Sequence, residues 1–513
     1  MGGYKPIRKD VSMRRGNKYG RVDIPRVSLG CHVEGATAPS PDPYDTRNVV
    51  GGVCKRVGCQ RPDIDKYVLR EFRSFVRGFI RQHITPLPVG TRFSVRKWLA
   101  GTNYPLWRQS QIVQKWLRAN MCLGPRHLYC KSFVKRESYY HTGHDFKEAR
   151  TINSRSDAFK AFSGPIFAEI EKVVYRLEPF IKHVPVADRA KYVFDKLHQP
   201  GATYIATDYT SFEAHFHSKI LRACELQLYR HMLRYVANGR AIADLLCHAI
   251  AGKNVLSFGG LSVGVMGCRM SGDMCTSLGN GFTNYMLMAF ACKKSGVTFR
   301  GVVEGDDGLF RVSGPVRESI FSSLGFRIKL EYHSSLATAR FCSMVFSDDS
   351  KRVMCDPVKK LLNTGWSFSE SRFSPRARKQ LLRAKALSLV CECPGVPVCS
   401  AFARYLYRHT NGAPRFSGLS GSKDWYEQQL DITDDRISQS LSTPVSSTDR
   451  DLVERVYGIP VARQLVIEKY FDETDQIKPI PFHLVCDLVP QNCLRYASTH
   501  VFDVCGRPQM WKR

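Results

Sequence analysis

The sequence lacks any stretch of about 18 uncharged apolar residues, which excludes a helix that spans a bilayer by itself. It is short of acid: 46 Asp+Glu stand against 76 Lys+Arg, a formal charge of +30 in 513 residues with a pI near 9.6. Internal repeats and long low-complexity tracts are missing, so solenoid and fibrous architectures drop out. There is no Gly-x4-Gly-Lys-[Ser/Thr] loop and no visible helicase or methyltransferase motif. The opening Met1-Gly2-Gly3-Tyr4-Lys5-Pro6 has no apolar signal-peptide core, and Pro6 spoils a myristoylation signal. The 18 cysteines contain no paired Cys-x2-Cys set. Cys391, Cys393 and Cys399, or Cys54 and Cys59, hint at zinc without completing a tetrahedral site. They read as reduced core thiols in apolar surroundings, like Cys224, Cys247 and Cys292, and no structural zinc is expected.

What is present is ordinary globular usage, 43% hydrophobic and 24% charged, which excludes wholesale disorder. The length suggests about three lobes. The cationic surplus costs self-repulsion unless an anionic partner neutralises it, nucleic acid first and an acidic membrane surface second. Residues 1–26 carry eight Lys/Arg against two Asp and read as a mobile basic arm. From Val68 a helical apolar pattern runs to just before Pro86, and residues 126–160 mix basic with aromatic or apolar groups. Within them Lys131-Ser132-Phe133-Val134-Lys135 alternates as a strand does, which sets one basic row on one face. Thr203 to Thr207 is a β-prone run ending at Asp208. A long helical pattern is expected over 220–251, and a glycine-rich segment at 259–272 leads into another helix. Gly305-Asp306-Asp307-Gly308 lies between two β-prone runs as an acidic hairpin turn. Beyond 355 the pattern is mostly helical, with a basic run from Arg372 to Lys385 and a Ser/Thr/Asp-rich break at 431–451.

Asp208, Asp306 and Asp307 each sit where a strand ends, held rigidly yet kept out of the core. Hard divalent cations are gripped by such carboxylates, with waters and substrate phosphates completing the shell. Two such ions about 4 Å apart can activate a hydroxyl and stabilise a leaving pyrophosphate. Gly-Asp-Asp alone is weak, since these residues favour turns and the triplet occurs by chance in about one chain in ten of this length. Its weight comes from what precedes it. In Ser271-Gly272-Asp273-Met274-Cys275-Thr276-Ser277-Leu278-Gly279-Asn280, a helix starting near Asp273 puts Thr276 and Asn280 on one face, with Ser271 in the loop before it. These groups can read a ribose hydroxyl, or else serve as ordinary caps of the first turn.

Asp208-x4-Glu213, Ser271-Gly272-x3-Thr276-x3-Asn280 and Gly305-Asp306-Asp307, in that order, resemble motifs A, B and C of viral RNA-dependent RNA polymerases. Arg269 to Asn280 looks especially like the tombusvirus-like group of plus-strand RNA viruses. Phe133-Val134-Lys135 with Arg150-Thr151-Ile152 and Arg155 is similar to the basic motif F. Gly325 to Lys329 is similar to motif D, and Phe341-Cys342-Ser343 to motif E.

The resemblance implies an α+β, right-handed fingers–palm–thumb architecture whose palm is an antiparallel sheet flanked by helices, with a mostly helical thumb. The expected division is a basic extension at 1–60, fingers at 61–200 with parts of 214–265, palm at 201–350, and thumb with the C-terminal region at 351–513. It also implies that Asp208, Asp306 and Asp307 hold Mg²⁺, with Mn²⁺ as a substitute. Glu213, Ser271, Thr276 and Asn280 would recognise the ribose; the family often has Asp at the first of these. Lys135, Arg150 and Arg155 would hold the NTP triphosphate, and Lys329 would protonate the leaving pyrophosphate. Partners follow: NTPs, a single-stranded RNA template, the nascent duplex and a viral membrane-anchoring replication protein. The expected location is the host cytoplasm, at membrane-associated replication sites reached through that partner. A reverse transcriptase is disfavoured by Glu304-Gly305 ahead of the Asp pair, where an aromatic is usual, and by Asn280. A non-enzymatic basic packaging protein is disfavoured by the intact acids.

Overall fold

The structure is a computed structural model in which residues 12–15, 27–140, 148–367, 374–413 and 432–500 are described. Most of the basic arm at 1–26 and Arg372 of the basic run lie outside the described residues. In chain order the strands are Ser12–Arg15 (β1), Val27–Ser28 (β2), Cys130–Val134 (β3), Thr151–Arg155 (β4), Thr203–Tyr209 (β5), Lys253–Ser257 (β6), Leu261–Met266 (β7), Phe299–Glu304 (β8), Asp307–Val312 (β9), Ile328–His333 (β10), Val345–Phe346 (β11), Val353–Met354 (β12) and Trp366–Ser367 (β13).

The sheet that carries the acids has the order β10-β5-β9-β8 and is antiparallel throughout. Tyr204 to Thr207 are buried on both faces of β5, and Asp208 emerges at the strand's end. Helix Thr276–Ser295 packs against this sheet and is buried nearly all round, with Leu278, Phe282, Met286 and Phe290 in the core and Asn280, Thr283 and Asn284 buried beside them. Gly296, at φ +70°, ends it in the left-handed conformation. A second, five-stranded sheet has the order β1-β7-β6-β3-β4, in which only β3 and β6 run parallel. Its strand β3 alternates as expected: Cys130, Ser132 and Val134 face inward, Lys131 and Phe133 outward.

Three expectations need correction. The helical pattern over 220–251 is three helices, Ser218–Ala223, Glu225–Met232 and Gly239–Ala251. The chain breaks at Cys224 (φ −119°, ψ −99°) and again at Asn238, which takes a positive φ. The polar stretch at 431–451 is not a break but two helices, Asp434–Ser442 and Ser447–Tyr457. Its Thr433 and Ser446 cap them by accepting from Arg436 and Asp449 N–H. Residues 27–60 are not an extension. Val27, Leu29, Cys31 and Val33 alternate into the interior, β2 pairs with β13, and helix Thr46–Arg56 packs on β3 and β4. This segment shares a core with C-terminal helices that include Pro375–Glu392, Cys399–His409 and Val461–Glu473.

Candidate active site

The register of β5 against β9 pairs Thr207 with Gly308, so Asp208 lies across from Asp307 one step further on. Strands β8 and β9 close on Glu304↔Asp307, leaving Gly305-Asp306 as a two-residue turn. Gly305 has φ +61°, and its neighbour Asp306 does not share a positive value, the pattern of a turn that asks for glycine at its first central position. Asn284, wholly buried one helical turn beyond Asn280, aims its Nδ2 at the carbonyls of Gly305 (3.3 Å), Asp306 (3.0 Å) and Asp307 (3.1 Å). Its Oδ1 accepts from the Tyr209 hydroxyl at 3.2 Å, so the end of β5 and the turn are braced by one side chain.

Two clefts open on either side of this tip. One, of about 460 Å³, is lined by Thr276, Asn280 and Asp306 together with Glu304, Lys160 and Tyr104. The other, of about 520 Å³, is lined by Asp208 and Asp307 with Glu331, Cys342 and Lys359. No ion pair among the described residues engages Asp208, Asp306 or Asp307. Both hairpin residues are exposed at the surface, yet the protein mass nearby partly desolvates their carboxyls and dominates their titration. It pushes Asp306 up, Glu213 adding to the rise while Arg150 and Arg56 oppose it. It pushes Asp307 up to about 6, with Asp306 and Asp208 adding like-charge repulsion and a hydrogen bond from Cys342 pulling the other way. Asp307 thus feels both of the other acids, although the three do not form a gathered ligand group among the described residues.

The other expected residues divide. Glu213 is tied to Arg56 at 2.5 Å. Lys135 and Arg150 extend the β3–β4 hairpin and share Glu137 at 3.0 and 3.4 Å, with Arg150 close enough to Asp306 to lower it. Lys329 lies opposite Asp208 in the β10–β5 register, is 70% exposed at its side chain, and pairs with Glu331 at 2.5 Å. Arg155 cannot present its charge to a triphosphate as it stands. Its guanidinium is buried, with Nε donating to Asp273 at 2.8 Å and the remaining nitrogens to Leu128 and Ala249 carbonyls and Asn254. Ser271 faces β4 rather than either cleft: it donates to the Thr151 carbonyl (2.8 Å) and accepts from Asn153 N–H (3.4 Å). Thr276, the first residue of its helix, donates to the carbonyls of Met270 and Asp273, the local capping alternative. Asn280 accepts from Arg269 Nε at 2.8 Å through Oδ1, which leaves its Nδ2 as the donor at the cleft wall.

Beside these clefts a larger basic cavity, about 1100 Å³, is lined by Arg108, Lys115, Arg126, Lys131 and Arg136, with Phe133 nearly half exposed among them. Arg56 and Asn284 escaped the sequence reading. Arg56 acts across 157 positions and gives no local signal. Asn284 does, since it continues the four-residue spacing of Thr276 and Asn280 along one helix face.

The acidic hairpin thus faces a strand-end aspartate, has a polar helix start in the wall of its cleft, and lies near a cationic cavity. Residues 148–478, more than half the chain, match the family described as viral RNA dependent RNA polymerase, and the chain belongs to that family. Among its relatives is the RNA-directed RNA polymerase of Oat chlorotic stunt virus, 24% identical over 374 residues, 66% of this chain and 48% of that protein. Those of Melon necrotic spot virus (25% over 369 residues; 68% and 45%) and Turnip crinkle virus (25% over 381; 67% and 45%) are similar. The chain spans about half the length of these relatives.

Proposed function

We propose that the chain performs template-directed RNA synthesis on an RNA template, replicating a viral genome from NTPs. The observation that carries this reading is the placement of Asp208 across from Asp307 beside the Gly305-Asp306 turn, with Thr276 and Asn280 in the wall of the adjoining cleft. The fold supports a right-handed assignment: palm at 201–350, fingers at 61–200 with parts of 214–265, thumb from 351. Residues 27–60 pack on β3 and β4 through helix Thr46–Arg56 and on the C-terminal helices through Leu29, Cys31 and Val33.

The donor set suits magnesium, with manganese as a substitute, because it is all carboxylate oxygen, the ligand type that hard divalent cations take. Asp208, Asp306 and Asp307 would hold the two ions. When bound, these supply a lowered pKa for the attacking 3′ hydroxyl and charge neutralisation for the pyrophosphate. The chain's own residues do the rest. Asn284 fixes the turn, Asn280 offers a donor toward the ribose, and Glu213, oriented by Arg56, borders the same region. Arg150 and Lys135 would supply cations for the triphosphate, and Lys329, opposite Asp208 in the β10–β5 register, would protonate the leaving pyrophosphate. Ser271 and Arg155 shape this site rather than touch the nucleotide. Lys131, Phe133 and Arg136 fit a single strand, phosphates on the cations and a base on the ring.

No helix among the described residues is long and apolar enough to cross a membrane. We infer that work at membrane-associated sites in the host cytoplasm runs through a viral anchoring partner. The test is extension on single-stranded RNA by the purified chain with Mg²⁺ or Mn²⁺, with and without primer. Ribonucleotide incorporation that follows the template is expected. Equal use of deoxyribonucleotides would favour a reverse transcriptase, and RNA binding without incorporation a packaging protein.

A further inference from the structure

The structure assigns a zinc site to Cys355, Cys393 and Cys399, where three sulfur ligands come together from separate parts of the C-terminal region. This inference stands apart from the polymerase reading and reverses the expectation drawn from cysteine spacing. Cys355 Sγ lies 3.1 Å from Cys393 Sγ and 3.6 Å from Cys399 Sγ, and all three sulfurs lie within 4.8 Å of one another. Tetrahedral Zn–S bonds of about 2.3 Å require sulfur–sulfur edges of about 3.8 Å, so small shifts seat the ion. Among the described residues this is the gathered group of three ligand atoms, and the aspartates of the polymerase site do not form one.

The backbone brings the thiols together deliberately. Cys355 leaves β12 just ahead of helix Pro357–Thr364, Cys393 caps the C-terminus of helix Pro375–Glu392, and Cys399 opens helix Cys399–His409. Between the last two, Gly395 and Val398 both take positive φ, a rare choice for a β-branched residue. The Val398 N–H is anchored on Glu468 at 2.7 Å, which holds the loop in that conformation. Cys393 and Cys399 are 1% exposed, while Cys355 is half-buried and reaches the 520 Å³ cleft, from which solvent can fill the fourth position. Three thiolates and Zn²⁺ leave one negative charge, and the Lys360 ammonium, held by Glu392 at 2.5 Å, lies close enough to attract Cys355 and Cys393. A disulfide would use two of these sulfurs and leave the third unexplained, whereas soft thiolates in a set of three select zinc over magnesium or calcium. The ion would pin three helix ends under the cleft.

The test uses the full chain purified without chelator, and elemental analysis should find about one zinc per molecule. Cys399→Ser should lose most of it, and the exposed Cys122→Ser should keep it. Because the serine variants can misfold, the zinc-stripped unmodified chain is also titrated with Co²⁺. Thiolate-to-cobalt charge transfer and tetrahedral d–d bands, bleached by added Zn²⁺, support the site. Chelation should also lower the melting temperature by several degrees. Unmodified protein with neither zinc nor a thiolate–cobalt band overturns the proposal, as does a Cys355–Cys393 disulfide in the native chain, or zinc retained when any of the three is serine.

Discussion

At the N-terminal end of helix Thr276–Ser295, charges are wholly buried and matched. Arg269 pairs with Glu225 at 2.6 Å, both fully buried, donates to Asn280, and stacks over the Phe216 ring at 4.4 Å. Arg155 and Asp273 repeat the arrangement at 2.8 Å. Alongside, at the turn between β8 and β9, the acids have no ion-pair partner among the described residues, and the protein around them pushes Asp306 and Asp307 up. A matched buried pair gains little over an apolar pair of the same shape, but it is strongly directional and costly to halve. The matched set therefore fixes where the helix starts and how Asn280 points, while the unmatched set keeps its charge for a ligand that arrives later. Gly279 shows the constraint in reverse. Glycine inside a helix costs about 1 kcal/mol, yet a Cβ here would run into Glu225 and Arg269.

The difference predicts that each set fails in its own way. Asp306→Ala should lower incorporation by on the order of 10³-fold or more, since several kcal/mol of transition-state charge stabilisation is lost. RNA affinity and melting temperature should stay near the parent's, because the basic cavity and the core are untouched. Single-turnover extension and filter binding read both, and undiminished incorporation would remove Asp306 from the site.

Glu225→Gln or Arg269→Met should show the opposite signature. Leaving one buried charge unmatched costs about 3–5 kcal/mol of stability, enough to unfold much of the population at 37 °C. Replacing both partners with apolar residues should recover a good part of it. A double-mutant cycle by denaturant unfolding would show this; additivity of the two single losses would mean that the pair is not coupled.

How much of this was legible follows from distance along the chain. The β5 strand end, the Gly305-Asp306 turn and the alternation of β3 are local patterns, set by period-two burial and turn chemistry, and they came out as read. Val27, Leu29, Cys31 and Val33 alternate just as clearly, but the adjoining positive charge drew the reading toward an extension. Arg155 looked like a phosphate ligand because residue type carries no information about burial; its partners Asp273, Asn254 and Ala249 lie 94 to 118 positions away. The thiol cluster is hidden for the same reason, with Cys355 lying 38 and 44 positions from its partners.

Asn284 sharpens the comparison, since it is uncharged and links the two sets. Asn284→Ala should lower kcat about 10- to 100-fold by loosening the turn, with KM for NTP little changed, as expected for misplacement of about 1 Å. Stability should fall by only about 1–3 kcal/mol. Asn284→Asp should be worse, because an acceptor would then face three carbonyls. Equal kcat for the parent and both variants would show that the turn holds itself.

The smallest effect is expected at the edge of the unmatched set. Arg150 is about half exposed at its side chain and shared with Glu137, so its removal leaves no buried charge stranded and should not change the melting temperature measurably. What it should change is the NTP. A triphosphate brought next to Asp306 needs nearby cations, and losing one of several charge-assisted donors costs about 1.5 kcal/mol, or roughly a tenfold rise in KM. Arg150→Lys should recover part of this, since a point charge replaces the fork without its paired geometry. Raising the salt concentration should narrow the gap between parent and variant, because an exposed cation is screened where Arg269 is not. A variant that loses kcat and keeps KM would move Arg150 out of ground-state binding and into the reacting geometry of the acids.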